Sequence, residues 1–152
     1  MELVRTGEAF AATADRALRH HRLSRAGRQA LAVLDGAGQP LSPTTIAERL
    51  LVTTASVTSL LDTLEGRGLV ERQADPGDRR RLLVALTDEG RALVDLFLPE
   101  VVALQTAAMA QLSEPQRRQL LQLLTKVRAG LAAIDPEAVT HGAPPRGRHP
   151  IA

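Results

Sequence analysis

Residues 53–86 read TTASVTSLLDTLEGRGLVERQADPGDRRRLLVAL, and the punctuation of this stretch decides the fold. Thr53 is a suitable N-cap, and Val57, Leu60, Leu61 and Leu64 then recur at i, i+3, i+4 and i+7, one buried helical stripe. Gly66 and Gly68 stop that helix and turn the chain into a strand over Leu69–Gln73. Asp75-Pro76-Gly77-Asp78 is a strong turn signal: Pro presets φ, and Gly accepts the positive φ that a type II turn requires. Arg80–Leu86 returns as the second strand. A helix followed by an Arg-tipped hairpin has a shape suited to duplex DNA, the helix in a groove and the hairpin beside it as a wing. A two-stranded ribbon is marginal alone, so it must lean on the helices before it.

Those helices are legible upstream. Residues 2–22 space Leu3, Phe10, Ala14, Ala17 and Leu18 as one long amphipathic helix. Ser24 caps a second helix over Arg25–Leu34, with Ala30, Leu31 and Leu34 facing inward and Gly36 and Gly38 ending it. Ser42-Pro43 supplies a cap and an N1 proline for a third, short helix that buries Ile46, Ala47 and Leu50. A tight turn through Leu51-Val52 joins it to the fourth, which makes a helix-turn-helix.

Downstream, Thr87-Asp88-Glu89 opens a fifth helix running to about Leu112, with acids at the positive end of its dipole and Pro99 placed to kink it. Ser113-Glu114-Pro115-Gln116 is a capping box for a sixth, striped with Leu120, Leu123, Leu124, Val127, Leu131 and Ile134. Residues 135–152, rich in Pro and Gly and without periodicity, read as a disordered tail. The expected fold is mainly α with a small β-hairpin wing: a winged helix-turn-helix over residues 24–86, with long helices over 1–23 and 87–134. Helices 1, 5 and 6 carry more apolar stripe than so small a winged helix can cover, and a symmetric homodimer is the simplest use for it.

Composition excludes several alternatives. Phe10 and Phe97 are the only aromatic residues besides histidine, too few rings for a single-strand stacking platform. The absence of Cys removes disulfides, thiolate metal sites and thiol redox sensing. No apolar run reaches membrane-spanning length and no signal peptide opens the chain, so a cytoplasmic protein is expected. The formal net charge of +2 says less than its placement. Arg67, Arg72, Arg79, Arg80 and Arg81 crowd the wing region, whereas residues 87–112 carry Arg91 against Asp88, Glu89, Asp95 and Glu100. That asymmetry suits a local DNA-facing patch.

The order helix, helix, LSPTTIAERL, VTTASVTSLLDTLEGRGLV, DPGDRR, LVALTDEGRAL resembles the MarR family of winged-helix transcriptional regulators, best over Leu41–Leu93. The most specific phrase is GLVER-x-x-DPGDRR-x-x-x-VALT-x-EG. The resemblance implies a homodimer built on helices 1, 5 and 6. Its two winged helices would meet a palindromic operator on double-stranded DNA, and a small-molecule effector would bind between the dimerisation helices and the DNA-binding lobe. A repressor released by that effector is the expected function. The alternative is an interaction or architectural winged helix with weak or no specific DNA binding.

The candidate DNA-binding residues form two groups. In the fourth helix, Thr53, Thr54 and Ser56 leave the positive helix end free of acids and open to a phosphate, against the plainer reading that Thr53 only caps. Thr58 and Ser59 offer hydroxyls to base edges, and the methyls of Thr54, Ala55 and Thr58 suit thymine. Ser59 and Thr63 stand where the family often has basic residues, so Arg-to-guanine readout is not expected there. On the wing, Asp78 is placed to steady the Arg80 guanidinium as it enters a minor groove, with Arg79 and Arg81 available for phosphates. The plainer reading is a solvated Arg cluster. Arg25, Arg28, Arg49, Arg67 and Arg72 are secondary phosphate candidates.

His20 and His21 are adjacent, and neighbouring helical residues point about 100° apart, so they do not converge on a metal without partners from elsewhere. Surface or dimer-contact roles are expected for them. No catalytic order, phosphate loop or metal motif appears, so no enzyme, cofactor or metal is expected.

Overall fold

Side-chain caps start most of the helices in the computed structural model, which describes residues 1–78 and 80–134; Arg79 and the expected tail lie outside the described residues. Ser24 Oγ accepts from the Gly27 N–H at 3.0 Å, Ser42 Oγ from Thr45 at 3.1 Å and Thr53 Oγ1 from Ser56 at 3.2 Å. The resulting helices are α1 (Glu2–Ala17), α2 (Arg25–Ala37), α3 (Pro43–Leu50) and α4 (Thr54–Gly66). The hairpin strands β1 (Val70–Ala74) and β2 (Leu82–Leu86) follow, then α5 (Asp88–Ala108) and α6 (Glu114–Ala132). The described helices include none long and apolar enough to cross a membrane.

The structure shortens or extends several expected elements. The long first helix breaks after Ala17 into a 3-10 turn over Arg19–His21, and Arg22 takes a left-handed conformation at φ 54°. The second helix runs through Gly36 to Ala37, and the left-handed residue that ends it is Gly38. The fifth ends at Ala108 rather than near Leu112, and the chain turns with Leu112 N–H donating to Met109 O at 3.0 Å. Pro99 sits inside α5 as expected.

Two compact units result, Met1–Ala108 and the segment from Met109 onward. In the first, Ala30, Leu31, Ile46, Val57, Leu61 and Leu64 from α2, α3 and α4 close one core with Val84 of β2 and Val94 and Phe97 of α5. The expected stripe of α4 is thereby buried at Val57, Leu61 and Leu64, with Leu60 packed partly against the core. The strands are antiparallel, Val70 opposite Leu86 and Ala74 opposite Leu82. One partner for the wing was not expected: Leu41, just before α3, exchanges both backbone hydrogen bonds with Val84, at 2.8 and 3.0 Å. This bridge gives the marginal ribbon a third backbone neighbour and ties it to the helix-turn-helix.

The junction between wing and α5 is tight. Thr87 Oγ1 accepts from the Gly90 N–H at 3.0 Å and donates to Gly68 O at 2.6 Å, so one hydroxyl caps α5 and holds the end of α4's connection. In the second unit, Gln116 Oε1 accepts from the Ser113 N–H at 2.8 Å, the returning bond of the expected capping box. α6 buries none of its own residues; Leu121 is 67% exposed and Leu131 62%.

A charged cluster anchors α2 to the end of α1. The Arg28 guanidinium, 6% exposed, donates to Leu23 O at 2.8 Å and to Asp15 at 2.5 Å, and Arg25 donates to the other Asp15 oxygen at 2.5 Å. The Arg25 hydrogen bond above all, with Arg28 adding to it, holds the Asp15 carboxyl below its ordinary value of 3.8 against the opposing effect of burial. A carboxylate whose folded pKa is depressed contributes stability that is fully present above its unfolded pKa and lost as pH falls through the lower folded value. Urea denaturation of wild type and Asp15→Asn should therefore show a constant wild-type advantage at neutral pH. That advantage should shrink only as pH drops below about 4. An advantage unchanged down to pH 2 would contradict the ion pairing.

Candidate nucleic-acid interface

The exposed start of α4 and the tip of the wing are the two surfaces that the sequence nominates. Thr53, Thr54, Ala55, Ser56, Thr58 and Ser59 are all exposed. Their hydroxyls are not equally available. Thr53 Oγ1 is occupied by the Ser56 N–H and lies 2.9 Å from Ser56 Oγ. Thr58 donates its hydroxyl hydrogen to Thr54 O at 3.0 Å, which leaves it a methyl group and acceptor lone pairs for a ligand. Thr63 is bonded in the same way to Ser59 O at 3.0 Å. Among the described residues, the N–H groups of Thr54 and Ala55 meet no protein acceptor, so the positive end of α4 keeps two donors facing outward.

The wing tip differs from the type II turn expected of Pro76-Gly77, because Gly77 does not adopt positive φ. Two successive Asx turns build the tip instead. Asp75 Oδ1 accepts from Gly77 N–H at 2.8 Å, and Asp78 Oδ1 accepts from Arg80 N–H at 3.0 Å. Backbone bonds from Asp78 to Asp75 O (3.2 Å), from Arg81 to Asp78 O (2.9 Å) and from Asp75 to Arg81 O (3.0 Å) close the loop. Asp78 therefore fixes the Arg80 main chain rather than its guanidinium. Among the described residues, no carboxylate pairs with Arg80 or Arg81, and both are exposed.

Most secondary candidates are already engaged. Arg72 on β1 forks to Asp62 at 2.6 Å and to Glu65, both on α4, and its own N–H reaches Glu65 Oε1 at 3.3 Å. This ion pair joins wing to helix instead of facing a phosphate. Arg25 and Arg28 are tied to Asp15, and Arg67 donates to Arg22 O at 2.7 Å. Arg49, exposed on α3, is the one of the five without a recorded side-chain bond among the described residues. Among the described residues, Arg80 and Arg81 at the wing tip and Arg49 on α3 are thus the arginines of this region without a hydrogen-bonded side-chain partner, and the tip stands beside an α4 that Arg72 holds in place.

A cleft of about 390 Å³ opens between α1, α2 and α5. Phe10, Ala14, Phe97 and Val101 make its body, and Gln29 and Gln105 are among its few polar groups. Nearby, the 3-10 turn brings two side chains together that were expected to diverge. His20 Nε2 lies 3.3 Å from Glu100 Oε1, and His21 Nε2 lies 3.1 Å from Glu100 Oε2. The His21 contact first, with His20 adding to it, lowers the Glu100 carboxyl from its ordinary value. Sequence spacing missed this cluster because Glu100 lies about eighty residues away.

Residues 23–81 match the family model described as MarR family. The HTH-type transcriptional regulator PecS of Dickeya dadantii (strain 3937) is 34% identical over 115 residues, covering 74% of this chain and 69% of PecS. The chain belongs to the MarR family of transcriptional regulators. The HTH-type transcriptional repressor YetL of Bacillus subtilis (strain 168) is 35% identical, over 60% of this chain and 55% of its own length. The match thus spans little more than half of that relative. Among solved structures, the MepR–DNA complex of S. aureus superposes with a TM-score of 0.78 at 28% identity, covering 85% of this chain and 94% of MepR. CouR of Rhodococcus jostii RHA1, bound to p-coumaroyl-CoA, gives 0.76 at 27% identity, covering 82% of this chain and 87% of CouR. These MarR-family relatives are regulators rather than enzymes, and the helical fold with a two-stranded wing is theirs.

Proposed function

We propose that this MarR-family chain is a homodimeric, sequence-specific DNA-binding repressor of the cytoplasm, released by a small-molecule effector. The observation that carries the reading is the wing tip: an exposed Arg80 without a carboxylate partner among the described residues, on a main chain pinned by Asp78. The α4 surface enters the major groove, where Thr54 and Ala55 N–H groups face a phosphate and the methyls of Thr54, Ala55 and Thr58 face thymine methyls. Ser59 supplies a hydroxyl to a base edge, while Thr53 and Ser56 shape the helix start. Arg80 enters the adjacent minor groove, and Arg79 and Arg81 reach phosphates. Small residues on α4 allow close approach but give modest base readout, so shape reading by the wing carries more of the discrimination.

Dimerisation through α1, α5 and α6 is supported by apolar residues that the single chain leaves in solvent. They include Leu3 and Val4 on α1, Leu96 and Val102 on α5, and Leu121, Leu124 and Leu131 on α6. A two-fold pair would set two α4 helices about 34–36 Å apart, one helical turn of a palindrome. The α1–α2–α5 cleft suits an effector with a mainly apolar body and a polar end met by Gln29 or Gln105. CouR holds p-coumaroyl-CoA, and YetL is a repressor; both support effector release and repression here. An effector acts only if it binds the DNA-competent and DNA-incompetent arrangements with different affinity.

Sedimentation equilibrium with and without duplex tests the assembly. The wild-type chain should sediment as a dimer and place two chains on one palindromic duplex. Leu124→Asp should shift the protein to monomer and weaken duplex binding. A monomeric wild type that binds DNA one to one would overturn the proposal.

A further inference from the structure

We propose that His20, His21 and Glu100 form a binding site for one divalent transition-metal ion, clamping the turn after α1 to the middle of α5. All three ligand atoms lie within 4.8 Å of one another, and both imidazole Nε2 atoms face the same carboxylate. Ligands at about 2.0–2.2 Å from a zinc-type ion stand roughly 2.9–3.4 Å apart at octahedral to tetrahedral angles. The observed separations of 3.1 and 3.3 Å fall in that range.

A second observation concerns the proton. His20 Nδ1 lies 3.0 Å from Ala17 O. A carbonyl only accepts, so Nδ1 carries the hydrogen, and a neutral His20 must then present the Nε2 lone pair to Glu100. Two lone pairs at 3.3 Å repel unless a proton or a metal ion lies between them. A backbone carbonyl that fixes the distal nitrogen is also the usual outer partner of a metal-bound histidine.

Protonating the imidazoles is the competing solution. A proton on His20 alone would let both Nε2–H groups donate to Glu100, at the cost of a charged ring 4.0 Å from that of His21, whose side chain is 7% exposed. A single dication takes both Nε2 lone pairs and the carboxylate as ligands at once. His21 is held from behind by Phe97, edge to face at 6.1 Å, so its ring is positioned before an ion arrives. Two imidazoles, one carboxylate and open positions suit Zn²⁺, Co²⁺ or Fe²⁺ rather than Ca²⁺ or Mg²⁺. The site stands independently of the DNA-binding proposal.

The test uses the full chain with His141→Ala and His149→Ala, which removes the other two histidines as ligands. Isothermal titration with Zn²⁺ should give one ion per chain, and Co²⁺ should produce visible ligand-field absorption. Glu100→Gln, His20→Ala and His21→Ala should each weaken binding by about 100-fold or more, above the usual cost of losing an outer partner. Zn²⁺ should raise the melting temperature of the parent but not of Glu100→Gln, a substitution at a half-exposed position that tolerates change. No stoichiometric binding, undiminished affinity in Glu100→Gln, or an unmoved melting temperature in the parent would overturn the proposal.

Discussion

Arg80→Ala should reduce affinity for the specific duplex by about 10- to 100-fold, the cost of one base-reading or groove-reading arginine. The salt dependence should become shallower by about one unit as one counterion-releasing contact is lost. Arg80 shares with Arg81 and Arg49 an exposed side chain that is not tied up as the other arginines of the region are. Arg72 is forked between Asp62 and Glu65, Arg25 and Arg28 share Asp15, and Arg67 is spent on Arg22 O. Arg80 has no such partner among the described residues, and its main chain is held by Asp78. Arg81→Ala should weaken all duplexes alike, because a phosphate contact carries no sequence information. Duplex titration of the two variants against specific and random DNA checks both statements. Unchanged binding by Arg80→Ala would favour the interaction-module alternative instead.

The second large effect is structural. A Cβ at Gly90 would lie 2.0 Å from Leu69 O and 3.0 Å from its carbonyl carbon. Both neighbours are backbone, so no rotamer change relieves the overlap. The first turn of α5 would have to move off the strand entry and stretch the Thr87 cap. Gly90→Ala should cost about 3 kcal/mol or more, at the upper end for overpacking, and lower the melting temperature by about 10 °C or more. Gly7 in α1 is the control, since nothing lies within 4 Å of its would-be Cβ. Gly7→Ala should be neutral or stabilising by up to about 1 kcal/mol. Thermal melts of both variants decide the matter, and equal behaviour would refute the close approach.

Local chemistry was legible from the sequence. Ser24, Ser42, Thr53, Thr87 and Ser113 announce helix starts because a cap and its amide partner lie within three residues. The stripe of Val57, Leu61 and Leu64 announces a buried face because its period is that of the helix. Gly90 was visible in the family phrase, but its reason needed Leu69 O, twenty-one residues away and brought near only by the fold. The Leu41–Val84 bridge and the Arg72 fork are long-range pairings of the same kind. The wing turn was missed for a different cause. Pro-Gly permits a type II turn, but Asp75 and Asp78 offer carboxylates to nearby amides, and those bonds set the backbone instead.

The candidate interface was legible in part. Its exposed residues stand where the pattern placed them, but which arginines remain unpaired depended on acids supplied by other elements. Asp62 and Glu65 remove Arg72 from the DNA-facing set; Asp15 removes Arg25 and Arg28. What survives is a small, weakly charged helix start and a strongly charged wing.

Titration of the full chain against duplex carrying its own upstream region, beside random duplex at two salt concentrations, reads sequence-specific recognition outright. The upstream duplex should be preferred at both concentrations, with affinity falling steeply as salt rises. Equal affinity for the two duplexes at both concentrations would contradict sequence-specific recognition.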